Sequence, residues 1–324
     1  MELANLLDPR VLIVTGKGGV GKSTVAAAVA VAAARAGRRT ALVEVEGRQT
    51  FSRLFETAPW DFDEREFRPS LWGLSIDPEA SLAEYLEMFY GGRRLSKLVV
   101  GSTAVEFATT AAPGIKDVLL IGKVKEMERR RDSDGRFHYD LIVVDAPPTG
   151  RIVNFLRAPD ATTELVNLGP IRTQAESLVA MLTDSARTNL VLVTLLEEMP
   201  VQETVESVHA LGRLGVTVGP VLVNRVIAAR LDDDAAKALE EDLAPRELAA
   251  LLAEAGLTVK EPAAAALREV GLAHLSRMAL QERMREDLLE RVDLPALELP
   301  YVYGSEFGAE AIAVLAGVIQ DVAT

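Results

Sequence analysis

Short apolar runs recur along the chain, and most are followed by a stretch of helical pattern. Val11-Leu12-Ile13-Val14-Thr15 and Leu141-Ile142-Val143-Val144-Asp145 are continuous rather than alternating, as strands buried on both faces are. Thr40 to Val45, Leu71 to Ile76, Leu190 to Thr194 and Val218 to Asn224 read as further strands, with a shorter candidate at Leu297-Glu298-Leu299. Ser23 to about Ala36 is alanine-rich and apolar all round, the mark of a helix packed on both sides, and Gly37 supplies its stop. Asp77-Pro78 opens another helix towards Tyr90. Strands alternating with helices predict an α/β fold with a doubly wound, mostly parallel sheet and right-handed crossovers. The rhythm breaks at about 81–131 and about 228–292. Both stretches read as helical insertions in a single domain spanning 1–324.

Composition narrows what such a fold can do. A chain of 324 residues that is 49% hydrophobic and 26% charged has the balance of a soluble globular protein. A formal net charge of -13 disfavours broad binding to nucleic acid or to anionic membranes. The absence of cysteine excludes disulfides, thiolate zinc sites and iron–sulfur clusters. No uncharged apolar run reaches roughly 18 residues, so no stable membrane insertion is expected. The start, MELANLLDPR, lacks the basic and apolar regions of a secretory leader. A cytoplasmic protein is the expectation. His138, His209 and His274 have no metal-ligand spacing between them.

The chemistry concentrates between the first apolar run and the first helix, at Gly16-Lys17-Gly18-Gly19-Val20-Gly21-Lys22-Ser23-Thr24. Strand, glycine loop, lysine, hydroxyl and helix in that order make a phosphate-binding loop. Glycines let backbone N–H groups turn inwards, and the helix adds its positive N-terminal end. Lys22 would bridge the phosphates of ATP or ADP, Ser23 would ligate Mg²⁺, and Thr24 would donate to the α-phosphate. Asp145 ends a buried strand, where a lone carboxylate is costly without a partner such as Mg²⁺. In Ala146-Pro147-Pro148-Thr149-Gly150-Arg151, the Gly150 N–H could approach and sense the γ-phosphate.

The second lysine in KGGVGKST resembles the deviant Walker A loop of a large ATPase class. That class includes the arsenite pump, tail-anchored-protein targeting, partition and division-site ATPases and the nitrogenase iron protein. The resemblance implies that Lys17 reaches across a dimer to the nucleotide of the other subunit. DAPPTGR at Asp145–Arg151 resembles the switch of the arsenite-pump and tail-anchored-protein targeting family, and Pro113-Gly114-Ile115 resembles its PG element. Val221-Leu222-Val223-Asn224 resembles the strand whose Asn reads adenine, and Pro300-Tyr301 falls where a loop packs on the base. Together these motifs span nearly the whole chain. VEVEG at Val43–Gly47, EFATT at Glu106–Thr110 and VDAPPTGR at Val144–Arg151 are similar to an actinobacterial branch. That branch resembles a system in which two related ATPase chains pair.

Two departures qualify the resemblance. The family's catalytic Asp, which positions the attacking water, aligns with Glu46, one methylene longer. A shift of about 1 Å in such a group can cost on the order of 100-fold in rate. Glu44, on the same strand face, is the alternative carboxylate. The cysteine pair that holds zinc between eukaryotic targeting subunits is missing, as are the cysteines of the arsenite pump's metalloid site. The resemblance implies an ATPase acting as a homodimer or with a related chain, by in-line attack of water on the γ-phosphate. A nucleotide-locked scaffold of negligible turnover is the second reading, and a partition-type ATPase on DNA or membrane the third, which the acidic charge opposes. Helices in about 81–131 form a client groove in targeting relatives. Here Arg93, Arg94, Lys97, Lys116, Lys123 and Lys125 interrupt that stretch, so core packing and a client groove both stay open.

Overall fold

The computed structural model describes residues 2–45, 47–90, 114–165, 170–241, 243–304 and 307–323. Glu46, Arg93, Arg94, Lys97, Glu106 to Thr110 and Pro113 lie outside the described residues.

The first half of the chain runs β1 (Val11–Gly16), α1 (Lys22–Arg35), β2 (Thr40–Val45), α2 (Thr50–Leu54), β3 (Arg65–Arg68), β4 (Leu71–Ile76), α3 (Pro78–Tyr90), α4 (Ile115–Arg129) and β5 (Leu141–Asp145). The second half runs α5 (Thr149–Leu165), α6 (Pro170–Thr183), β6 (Thr188–Thr194), α7 (Glu198–Gly212) and β7 (Val218–Val226). It closes with α8 (Asp233–Glu240), α9 (Pro245–Glu254), α10 (Glu261–Arg291), β8 (Ala296–Pro300) and α11 (Ala309–Ala323). Every strand expected from an apolar run is present. The eight-stranded sheet has the order β3-β4-β2-β5-β1-β6-β7-β8 and is parallel except for β3, which pairs antiparallel with β4. Arg65-Glu66-Phe67-Arg68 carries no apolar run, because a short charged strand is what an exposed sheet edge requires.

The chain therefore winds outwards through β2 and β4, returns to β5, and crosses β1 to build the other half. β1 sits between β5 and β6, in register with both. Loops at the carboxyl ends of these strands meet at the switch point, where open parallel sheets bind ligands. One face of the sheet is covered by α1 and α11, with Val25 to Ala33 wholly buried between sheet and helix. The other face is covered by α4 to α7, through Leu120, Ile121, Phe155, Met181 and Leu211. The stretch at 228–292 is helical as expected, with α10 packing onto α7 and β7 through Leu288 and Val292.

Two of the charges that interrupt this stretch, Lys123 and Lys125 of α4, are buried. Lys123 pairs with Glu84 at 2.7 Å and Glu126 at 3.2 Å, while the Lys125 ammonium donates to Gln174 and Ser177. These contacts fasten α4 to α3 and α6.

Candidate functional site

The phosphate loop is formed by close backbone approach. A Cβ on Gly16 would lie 2.2 Å from the Val193 carbonyl oxygen of β6, so only glycine lets the loop leave β1 there. Gly21 has φ +89 and precedes α1, and a Cβ on it would lie 2.4 Å from Asn224 Nδ2. Gly18 and Gly19 are exposed with open space around them, which suits a loop crown that wraps a ligand. Val20 is buried in the core and anchors that crown from below. Lys22 opens α1, and its ammonium reaches back to the Lys17 carbonyl at 3.3 Å. Burial holds the Lys22 ammonium below its ordinary pKa, opposed by Asp145 and reinforced by the charge of Arg48.

Ser23 and Asp145 come together as expected. Ser23 Oγ donates to Asp145 Oδ2 at 2.6 Å. Asp145 Oδ1 is buried and has no hydrogen-bond partner among the described residues. Burial pushes the Asp145 carboxyl up to about 6, against the Ser23 hydrogen bond and the Lys22 charge. A buried carboxylate with one oxygen on a half-buried hydroxyl and the other unpaired fits a hard divalent cation, which takes oxygen ligands.

The segment after Asp145 is clamped at its root. Thr15 Oγ1 donates to the Pro147 carbonyl at 2.6 Å, and the Ala146 N–H donates to Val14 at 3.0 Å. Thr149 and Gly150 then open α5, so the Gly150 N–H belongs to the first turn of a helix. Asn224 is buried near the end of β7, and its Nδ2 donates to the Val20 carbonyl at 2.9 Å. A cavity of about 390 Å³ opens beside it, lined by Thr24, Asn224, Arg225, Pro300, Tyr301 and Phe307 among others. Tyr301 and Phe307 are half exposed, the state of aromatic faces available to a flat ring.

Glu44 is not the surface carboxylate that its sequence position allowed. It is buried, beside Asp145 in strand register, and accepts the N–H groups of Gln49 at 2.8 Å and Thr50 at 2.6 Å. Gln49 in turn exchanges hydrogen bonds with the Trp60 backbone, at 2.6 and 2.8 Å. Glu44 and Gln49 thus fasten the start of α2 to the carboxyl end of β2 and to the Trp60 backbone. Lys17 lies on its own chain's α7, its ammonium 2.6 Å from Glu203 Oε1. Glu203, Gln49 and Arg48 escaped the sequence reading. Glu203 sits on an ordinary amphipathic helix, where no local pattern marks it.

Among the described residues no group of three or more His, Asp or Glu is placed to hold a metal by itself, and no helix is long and apolar enough to cross a membrane. A glycine loop between a central strand and a helix, a hydroxyl paired with a strand-end acid, and a base-sized cavity define a phosphate-loop nucleotide-binding protein. Known proteins sharpen that class. The anion-transporting ATPase family model matches residues 9–175 and 165–244. ATPase BagA of Mycobacterium tuberculosis is 43% identical over 309 residues, which cover 92% of this chain and 89% of that one. The arsenical pump-driving ATPase of Escherichia coli is 27% identical over 89% of this chain and 53% of its own length. ATPase GET3 of Eremothecium gossypii is 26% identical, over 72% of this chain and 76% of its own. The chain belongs to the anion-transporting ATPase family.

Proposed function

We propose that this chain hydrolyses ATP with Mg²⁺ and does so face to face with a second copy of itself or with a related ATPase chain. The observation that carries the proposal is the hydrogen bond from Ser23 to the buried Asp145 beside the phosphate-loop lysine, with Asp145 Oδ1 unpaired among the described residues. Family membership supports the activity. In the active complex, backbone N–H groups of Gly16, Gly18, Gly19, Val20 and Gly21 cradle the phosphates, and Thr24 donates to the α-phosphate. Lys22 spans the β- and γ-phosphates. Ser23 and Asp145 would hold Mg²⁺, which would neutralise charge on the phosphate oxygens. Asn224, Pro300 and Tyr301 receive the base. Glu46 orients a water in line with the bond to the γ-phosphorus. As the water oxygen bonds to phosphorus, the bridging bond breaks, its electron pair leaves on ADP, and the proton lost by the water ends on the released phosphate. Gly150 meets the γ-phosphate, and Lys17 stabilises the charge on the nucleotide of the neighbouring chain.

The chain acts as one domain, in the cytoplasm, without zinc and without nucleic acid. A protein client would dock through about 81–131. A second reading, a nucleotide-locked scaffold, is favoured by one observation: Glu44 is committed to two backbone N–H groups, so Glu46 has no understudy on β2. Steady-state hydrolysis separates the two. Mg-ATP turnover should fall about 100-fold or more in Lys22→Ala and drop strongly in Glu46→Ala. Turnover indifferent to Lys22→Ala would sink the assignment of the site. ATP bound without turnover would leave the scaffold standing.

A further inference from the structure

We propose that Glu203 is a positioning residue that stores Lys17 within its own chain until association releases it. The inference rests on the face-to-face reading above, because only an associated chain gives Lys17 a nucleotide to reach. Both oxygens of the Glu203 carboxylate are engaged. Oε1 accepts from the Lys17 ammonium at 2.6 Å, and Oε2 accepts from Thr149 Oγ1 at 3.0 Å. One side chain on α7 thereby joins the phosphate loop to the first residue of α5, directly after Asp145-Ala146-Pro147-Pro148. These are the two segments that face the γ-phosphate.

The carrier of this carboxylate is rigid. Val201, Thr204 and Val205 are buried around it, and Thr204 Oγ1 bonds back to the Pro200 carbonyl. The position of Glu203 is therefore set by the core and not by the loop it holds. The ion pair itself is only partly shielded, with side-chain exposures of 27% for Lys17 and 32% for Glu203. Such pairs are weak and open readily when a stronger anion competes. A triphosphate presented by a neighbour carries more charge than one carboxylate. Lys17 exchanges one for the other, and the Glu203 oxygen it leaves is freed as the α5 segment meets the γ-phosphate.

The test is a double-mutant cycle on the full chain, with whichever chain associates with it in Mg-ATP, itself included. Association is followed by sedimentation, and turnover against chain concentration. Lys17→Ala should weaken Mg-ATP-dependent association. Glu203→Gln removes the stored charge and keeps an oxygen for Thr149, so it should strengthen association by up to about fivefold, the worth of an exposed pair. The chain concentration for half-maximal turnover should fall by the same factor, with kcat little changed. Glu203→Asp should return the midpoint towards wild type. In the Lys17→Ala background Glu203→Gln should have no effect. A Glu203→Gln effect that is absent in wild type, or that persists without Lys17, overturns the proposal alone. If Mg-ATP promotes no association, or Lys17→Ala leaves it unchanged, the face-to-face reading fails first and this one with it. Glu203→Ala, which also drops the Thr149 contact, serves if the Gln variant does not fold.

Discussion

Gly21 carries two constraints at once. Its φ of +89 costs an L side chain about 1–2 kcal/mol. Its missing Cβ also leaves room for Asn224 Nδ2, which would otherwise be 2.4 Å away. Gly21→Ala should therefore lower unfolding free energy by about 1–3 kcal/mol in urea titrations. It should also weaken ATP binding in calorimetry, because Gly21 belongs to the proposed phosphate cradle and its new Cβ pushes Asn224 within the adjoining cavity. An Ala variant with unchanged affinity would mean that Asn224 does not read the base. The loop was legible in the sequence because phosphate binding dictates residue types in one contiguous run. Asp145 was legible because an acid closing an apolar strand violates the burial pattern. The Lys17–Glu203 pair was not, since its partners are 186 positions apart and neither violates a local rule. The role of Glu44 was half legible. Periodicity gave its face, but only the turn at Gln49 shows which N–H groups its oxygens meet.

Among the elements, the sheet edge at β3 combines apolar packing of Phe67 against Phe55 and Trp60 with a charged cluster just before the strand. Glu64, just before β3, receives both Nη atoms of Arg130 at 2.6 and 2.8 Å, and Tyr139 donates its hydroxyl to the same carboxylate. Arg130 also binds Glu126 of α4. Burial alone would raise the carboxyls of Glu64 and Glu126, but the hydrogen bonds and charge of Arg130, helped by Lys123, outweigh it and hold both below the usual glutamate range. Their folded pKa values are depressed, so the stabilisation is complete above about 4.5 and is lost as pH falls through the folded values. Arg130→Ala should cost about 1–3 kcal/mol at pH 7, between an exposed and a buried pair. Thermal unfolding from pH 7 to pH 3.5 should fall less steeply in Arg130→Ala than in wild type. Parallel pH profiles for the two would show that the cluster contributes nothing. No apolar pattern marks β3, and its antiparallel pairing depends on tertiary neighbours that a local reading does not contain.

At the scale of the whole molecule, apolar runs foretold a parallel sheet because strands covered on both faces have no polar side to show. They did not foretell that β5 would slot between β1 and β2, since strand order is decided by which helices cover which face. That order brings Asp145 beside the phosphate loop and Glu44 beside Asp145. The absence of cysteine excludes a thiolate-held metal or a disulfide between chains. The central claim is that nucleotide and association are one event, with Lys17 crossing between chains. Native mass spectrometry of the complex taken at natural abundance from its own cells, with nucleotide retained, tests it most directly. This chain should be found bound to a second copy or a related ATPase, with nucleotide on board. A nucleotide-free single chain that stays single when Mg-ATP is added would contradict it.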